Sequence, residues 1–220
     1  MSLDAKFKLL KPYFQNKRVL DVGCVGDGVL PGSASWMHQR IMQVAEYVLG
    51  IDILEDEVNK LRAKGYNLKV GDIQNAGLLD EQGFDVVFAG ELVEHLTNFE
   101  GFFQSARTNL KKDGVLILTT PNVHSVYRFL ALLLGRPTAR KEHTVWFDQC
   151  TISNLLSRFR IEILTTKFIK VISLRDVFRG IREFRSLKAV IDTVWSFLVE
   201  SILPSKIGKR DMVLVAKKID

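Results

Sequence analysis

The 220-residue chain predicts an α/β fold built on a mostly parallel sheet, on three observations. Short apolar runs alternate with stretches of helical period, the pattern of repeated βαβ units. Two of the runs, Val86-Val87-Phe88 and Val115-Leu116-Ile117-Leu118, are continuously apolar. Strands covered by helices on both faces read that way, whereas half-exposed strands alternate. Two further runs end in an acid: Val19-Leu20-Asp21 leads into Val22-Gly23-Cys24-Val25-Gly26-Asp27-Gly28, and Tyr47-Val48-Leu49-Gly50-Ile51 leads into Asp52. The three glycines after the first acid let the backbone pass close to a ligand, because glycine has no Cβ and accepts positive φ.

Taken in order, strands are expected at 18–23, 47–52, 67–71, 84–89, 114–120, 160–169 and 212–218. Helices are expected at 4–14, 35–46, 55–64, 99–109, 124–134 and 151–158. Segments 80–83 and 111–114 read as turns from their charge and terminal glycine. Two segments exceed a minimal alternating fold. Residues 29–39 lengthen the path from the glycine turn to the second acid and are expected to form a loop above a ligand. Residues 173–210 read as a basic helix, then an apolar helix, then a Pro/Gly loop, inserted between the last two strands.

The length suits a single domain, 1–220, carrying that insertion. Hydrophobic content of 47% and charged content of 25% are ordinary for a globular protein. The formal net charge is +6, and residues 170–210 hold nine bases against four acids, so nearly all the excess sits there. A local basic element is expected, either a lid over a pocket or a surface facing an anionic membrane. Its apolar helix is too short and too interrupted by Asp192 and Glu200 to span a bilayer. The first 17 residues are charged and lack a signal-peptide apolar region. Two cysteines, Cys24 and Cys150, make neither a disulfide framework nor a metal pattern. The expected location is cytoplasmic, at the inner membrane surface if the insertion docks there.

Two acids at adjacent strand ends with a glycine turn between them suit a nucleoside, with backbone N–H groups for one part and a carboxylate for the ribose hydroxyls. The spacing Gly23-x-x-Gly26-x-Gly28 departs from the dinucleotide fingerprint G-x-G-x-x-G, which disfavours a nicotinamide dehydrogenase. It resembles motif I of class I S-adenosylmethionine-dependent methyltransferases, with Val25 where a family glycine would stand. Later segments resemble the same family in order: Asp52 after the second strand, Gly71-Asp72-Ile73 after the third, Glu91-Leu92-Val93-Glu94-His95 after the fourth, and Thr120-Pro121-Asn122 after the fifth. The resemblance implies a Rossmann-like seven-stranded sheet with helices on both faces and the last strand antiparallel. It implies S-adenosylmethionine as cofactor, S-adenosylhomocysteine as product, and cofactor binding by Asp21, Gly23, Cys24, Gly26, Gly28, Asp52, Ile53, Asp72, Ile73, Glu91 and Leu92.

Methyl transfer from a sulfonium needs the acceptor positioned and one proton managed. A hydroxyl acceptor needs a base, and the chain has four histidines. His95 and His143 are the catalytic candidates. Each has an alternative role, His95 as a turn residue and His143 as the polar handle of a pocket wall in Glu142-His143-Thr144-Val145-Trp146-Phe147. Trp36, His38, His124 and Trp146 are expected to line the acceptor pocket. No structural metal is expected, because no cysteine, histidine and acid cluster has ligand spacing; a catalytic divalent ion on Glu91, Glu94 or His95 is the alternative.

The segment after the fourth strand, Ala89-Gly90-Glu91-Leu92, lacks the N/D-P-P-Y/F motif of nucleic-acid N-methyltransferases, and nucleic acid is an unlikely partner on that resemblance. Gly23-Cys24-Val25-Gly26, Trp36-Met37-His38, Gly50-Ile51-Asp52-Ile53-Leu54 and the Glu142 to Phe147 segment resemble methyltransferases of surface-polysaccharide loci; the Glu91 to His95 and Thr120 to Asn122 segments resemble ubiquinone-type O-methyltransferases. These resemblances imply O-methylation of a small or lipid-linked hydroxylated acceptor: a sugar, a glycolipid or a quinone-like molecule. N-methylation of a small molecule and a non-catalytic cofactor-binding scaffold are the alternatives. The oligomeric state is not legible.

Overall fold

A computed structural model of the chain describes residues 3–26, 32–33, 35–75, 77–79, 82–133, 135–136, 138–169, 194–195, 198 and 201–219. Strands β1 (Arg18–Val22), β2 (Tyr47–Asp52), β3 (Leu68–Val70), β4 (Phe84–Gly90), β5 (Leu110–Pro121), β6 (Ile161–Ile169) and β7 (Asp211–Lys218) form one sheet. Their spatial order is β3-β2-β1-β4-β5-β7-β6. All pairs are parallel except those of β7, which lies antiparallel between β5 and β6. The helices are α1 (Leu3–Phe14), α2 (Met37–Met42), α3 (Glu55–Arg62), α4 (Phe99–Asn109), α5 (Val126–Leu133), α6 (Gln149–Arg158) and the short α7 (Ser205–Gly208).

The sheet is buried on both faces by the period-2 rule of strands. Leu20, Val22, Val87, Ala89, Leu116 and Leu118 face one core with Phe102 and Phe103 of α4 and Leu156 of α6. Val19, Val86, Phe88, Ile117 and Val215 face the other with Leu10 and Phe14 of α1 and Ile41 of α2. The central strands β1 and β4 and the 115–120 part of β5 are therefore largely apolar, as expected for a covered parallel sheet, whereas the edge strand β6 exposes polar residues.

Several boundaries differ from expectation for local reasons. The 111–114 segment is not a turn but part of β5, which pairs Leu110 with Phe84 and then resumes at Val115 with Val86. The register irregularity absorbs the extra residues, and Gly114 fits because a Cβ there would sit 2.9 Å from the Phe84 carbonyl oxygen. The helix expected at 35–46 is confined to Met37–Met42. Trp36 precedes it in extended conformation, its indole N–H donating to the Cys24 carbonyl at 2.6 Å. The two helices expected within 173–203 and the loop at 29–31 lie largely outside the described residues. No described helix is long and apolar enough to cross a membrane.

Candidate functional site

The order β3-β2-β1-β4-β5 places β1 at the point where strand connections reverse direction, and ligands bind outside the carboxyl ends of strands at such a point. A cavity of about 1630 Å³ opens there. It is lined by the ends of β1, β2 and β4, the loop after β3, and α5.

At one end stand the residues of the glycine turn. Gly23 has φ of +68°, and a Cβ would approach Leu92 Cδ1 to 3.0 Å, so glycine is needed for both conformation and space. Asp52 closes β2 and accepts backbone N–H bonds from Val25 at 2.8 Å and Leu54 at 3.0 Å. Burial raises its pKa against the pull of those N–H groups. Beside it, Ile53 is 67% exposed and Leu54 42% exposed, an apolar shelf inside a cavity. Asp72 accepts the Gln74 N–H at 2.9 Å, while the Gln74 side chain accepts from the Thr97 and Asn98 backbone at 2.9 and 2.7 Å. Gly101 lets α4 press onto the Gln74 carbonyl, which a Cβ would strike. This web fixes Asp72 relative to the sheet. Cys24 is buried, and desolvation with the nearby Asp21 and Asp52 drives its thiol pKa upward. Its backbone carbonyl, which accepts the Trp36 indole N–H, shapes the turn.

Asp21, Gly23, Cys24, Gly26, Asp52, Ile53, Asp72, Ile73, Glu91 and Leu92 all line the cavity. Gly28 lies outside the described residues. The carboxyl groups of Asp52 and Asp72, an apolar shelf and a Cβ-free turn fit an adenosyl group: an acid for ribose hydroxyls, flat apolar contact for a base, and bare backbone beside it.

The middle of the cavity holds a buried ionic group that the sequence reading missed. Lys6 of α1 is 3% exposed and donates to Glu91 at 2.6 Å, to Thr119 Oγ1 at 3.3 Å, and pairs with Asp211 at 3.6 Å. Glu91 sits at φ of +53° and also accepts from Thr119 at 2.7 Å. Desolvation favours its neutral form, but the Lys6 ammonium outweighs that and holds it below the usual carboxylate range. Desolvation would lower the pKa of Lys6, but Glu91 and Asp211 together raise it. Asp211 itself is pushed up to about 6 by burial and by Glu91. The signal for Lys6 was present: Lys6, Leu10 and Phe14 share one stripe of α1, and all three are buried.

Glu94 is 1% exposed, and its Oε2 has no hydrogen-bond partner. Burial first, then the Glu91 charge, pushes its pKa up to about 8. With a folded-state pKa above the unfolded one, the native state binds more protons from about pH 4.5 to 8, so stability falls as pH rises through that window. Wild type is expected to lose on the order of a few kcal/mol between pH 5 and 8. Glu94→Gln should flatten that slope in denaturant titrations at the two pH values. Parallel slopes for the two proteins would show that Glu94 is ionised throughout.

His95 and His143 meet beside Glu94, their rings 4.8 Å apart and nearly perpendicular at 88°. The Thr144 N–H and hydroxyl bind the Glu94 and Leu96 carbonyls at 2.9 and 2.7 Å, which ties the two segments together. His95 Nδ1 lies 3.1 Å from the Glu142 carbonyl oxygen. A carbonyl only accepts, so Nδ1 carries the proton and Nε2 holds the lone pair of the neutral ring. His143 Nδ1 accepts the Trp146 indole N–H at 3.2 Å, so its neutral ring carries the proton on Nε2. Burial, then His95, Arg128 and Arg140, hold His143 below the usual histidine range.

The structure corrects two expectations here. His124 does not line the cavity: it is an exposed partner of Asp148 at 3.2 Å, and Asp148 caps α6. Trp146 supports His143 and lies beneath Arg128, 5.2 Å from ring centroid to guanidinium carbon, without lining the cavity. His38 and Trp36 do line it, beside Asp21 and the glycine turn. His38 is 1% exposed and holds Asp21 at 2.8 Å. The expectation of no metal rested on chain spacing, yet Glu94, His95 and His143 each place a ligand-type atom within 4.8 Å of the others. Metal-bound histidines donate their second ring N–H to an acceptor. The second nitrogen of His143 instead receives an N–H, which opposes ligation.

Fold and site define the class: a Rossmann-like α/β domain with a nucleoside-type site at the carboxyl ends of its strands. A family model described as a methyltransferase domain matches residues 3–166, and the chain belongs to that family. It is 32% identical over 124 residues to the ubiquinone biosynthesis O-methyltransferase of Pelagibacter ubique, covering 54% of this chain and 48% of that protein. The match to the enzyme of the same name from Glaesserella parasuis is 29% identical over 129 residues, covering 54% and 51%. The chain thus spans about half the length of the curated relatives it matches. Among solved structures, a SAM-dependent methyltransferase from Archaeoglobus fulgidus shares the fold with a TM-score of 0.64 at 20% identity, covering 98% of this chain and 93% of that one. A Burkholderia thailandensis 1,6-didemethyltoxoflavin-N1-methyltransferase, solved with that compound and S-adenosylhomocysteine, does so with a TM-score of 0.58 at 14% identity, covering 99% and 77%. The domain is of the class I S-adenosylmethionine-dependent kind.

Proposed function

We propose that the protein methylates a hydroxyl of a small or lipid-linked acceptor, with S-adenosylmethionine as methyl donor. The observation that carries this reading is the pairing of His95, whose Nε2 lone pair is left available, with a neutral His143 whose Nε2–H can donate. Bound cofactor supplies an electrophilic methyl group. With the cofactor bound, His95 would take the acceptor's hydroxyl proton at Nε2, leaving the oxygen free to accept the methyl group, and S-adenosylhomocysteine would be the co-product. His143 orients the acceptor oxygen through its Nε2–H. The O-methyltransferase names of the curated relatives support a hydroxyl acceptor. A lipid-linked one is supported by α5, which buries none of its residues and exposes Phe129, Leu132 and Leu133, the last at the cavity wall. Trp195, 57% exposed on the cavity wall, supports the lid reading of the inserted segment.

Calorimetric titration with S-adenosylhomocysteine tests the cofactor half. Asp52→Ala should weaken binding at least about tenfold through loss of charge-assisted ribose contacts, and unchanged affinity would refute the assignment. Radiolabelled methyl transfer to a panel of sugars, lipid-linked sugars and quinols tests the acceptor half. Methyl ether products support it, and exclusive labelling of amines would overturn it.

A further inference from the structure

The cavity is lined by Asp21, Asp52 and Asp72 at or just past the ends of β1, β2 and β3, and elsewhere by Arg128, Arg136, Arg140 and Arg210 together with Glu91, Glu94, Glu142 and Asp211. Arg128 of α5 is the best defined of the four arginines. One Nη1–H is donated to Thr138 Oγ1 at 2.9 Å, and the guanidinium lies over the Trp146 ring. Its Nε is buried and has no hydrogen-bond partner. No carboxylate lies within ion-pair distance of it among the described residues. Asp211 and Glu91 act on Arg128 electrostatically, but both carboxylates are held by Lys6.

A guanidinium does not escape burial by losing its proton. A half-buried cation without a paired anion is unfavourable in the protein alone and favourable once a ligand supplies the anion. The planar fork matches a phosphate or carboxylate better than an isolated hydroxyl. Trp146 below and Thr138 beside it hold the guanidinium in place, so little side-chain freedom is lost when the anion arrives.

We propose that Arg128 is an oxyanion subsite, binding a phosphate or carboxylate group carried by the methyl acceptor. The inference rests on the cavity being an acceptor site, and narrows the acceptor to hydroxylated molecules bearing such a group: a sugar phosphate, a sugar diphosphate on a lipid, or a hydroxyaryl carboxylate. Arg128 acts on binding and register of the acceptor, not on the proton.

The test is calorimetry on the full chain with pyrophosphate, inorganic phosphate and benzoate as probes, each with and without saturating S-adenosylhomocysteine. Wild type should bind at least one anion. Arg128→Gln should weaken it tenfold or more, and Arg128→Lys, which keeps the charge but not the fork, should fall between. Preference for the phosphates identifies a phosphorylated acceptor, and preference for benzoate a carboxylate. S-Adenosylhomocysteine affinity is expected to be equal in wild type and Arg128→Gln, which also shows that the variant is folded. The subsite is refuted if wild type binds none of the three anions, or if Arg128→Gln binds them as well as wild type does. Those results leave the methyltransferase reading intact when S-adenosylhomocysteine still binds. Loss of S-adenosylhomocysteine binding by wild type would instead refute that reading, whatever the anions do.

Discussion

Lys6→Met should lower the stability of the domain by about 3–5 kcal/mol, because it removes one partner of a buried pair and leaves the other charged. Glu91 would stand beside Glu94 and Asp211 with no ammonium among them. Against a usual total of about 5–15 kcal/mol, that is a large fraction. At about 2–4 °C per kcal/mol for a chain of this size, the melting temperature should fall by roughly 6–20 °C. The partner substitution separates the pair from simple loss of packing. Lys6→Met combined with Glu91→Gln leaves Asp211 as the one former partner of Lys6 that can still be charged and should recover at least half of the loss. A double variant as unstable as the single one would show that Lys6 matters for volume rather than charge. Because Lys6 holds Glu91 at the cavity wall, the single variant should also weaken S-adenosylhomocysteine binding, as Glu91 swings away from Thr119.

Much of the cavity wall around the glycine turn was legible in the sequence. In a parallel sheet the strand is an apolar run, and the ligand sits where that run stops. Asp21, Asp52 and the Gly71-Asp72 pair each stand at such a stop, so one-dimensional position predicts three-dimensional place. The part of the cavity around His95, Lys6 and Arg128 has no such rule. His95 and Glu142 are 47 positions apart, and Lys6 and Glu91 are 85 apart. Their meeting depends on how α1 and the 140–147 segment pack over β4 and β5. Arg128 falls in a run that reads as an apolar helix, and its charge gains meaning only beside Thr138 and Trp146. His124 shows the reverse failure. Its place just past β5 is on the ligand-binding edge, but the side chain turns outward to Asp148. Segment 111–114 misled because charges and a glycine mark a turn equally well as they mark an irregular strand entry.

His95→Gln should reduce kcat by about 10²- to 10⁴-fold, the usual contribution of a positioned general base, with S-adenosylhomocysteine affinity unchanged. Glutamine can keep the contact to the Glu142 carbonyl through its amide N–H, so the loss reads the proton-accepting nitrogen and not the turn. His143→Ala should have a smaller effect, expressed mainly in KM, because its ring donates to the acceptor and does not take the proton. Trp146→Phe provides the decisive contrast. Removing the indole N–H frees Nδ1 of His143, so that ring can then accept a proton. In the His95→Gln background, Trp146→Phe is therefore expected to restore part of the lost turnover. If instead His143→Ala alone abolishes turnover while His95→Gln retains it, the roles of the two rings are reversed. The Trp146 hydrogen bond would then tune the base rather than silence it.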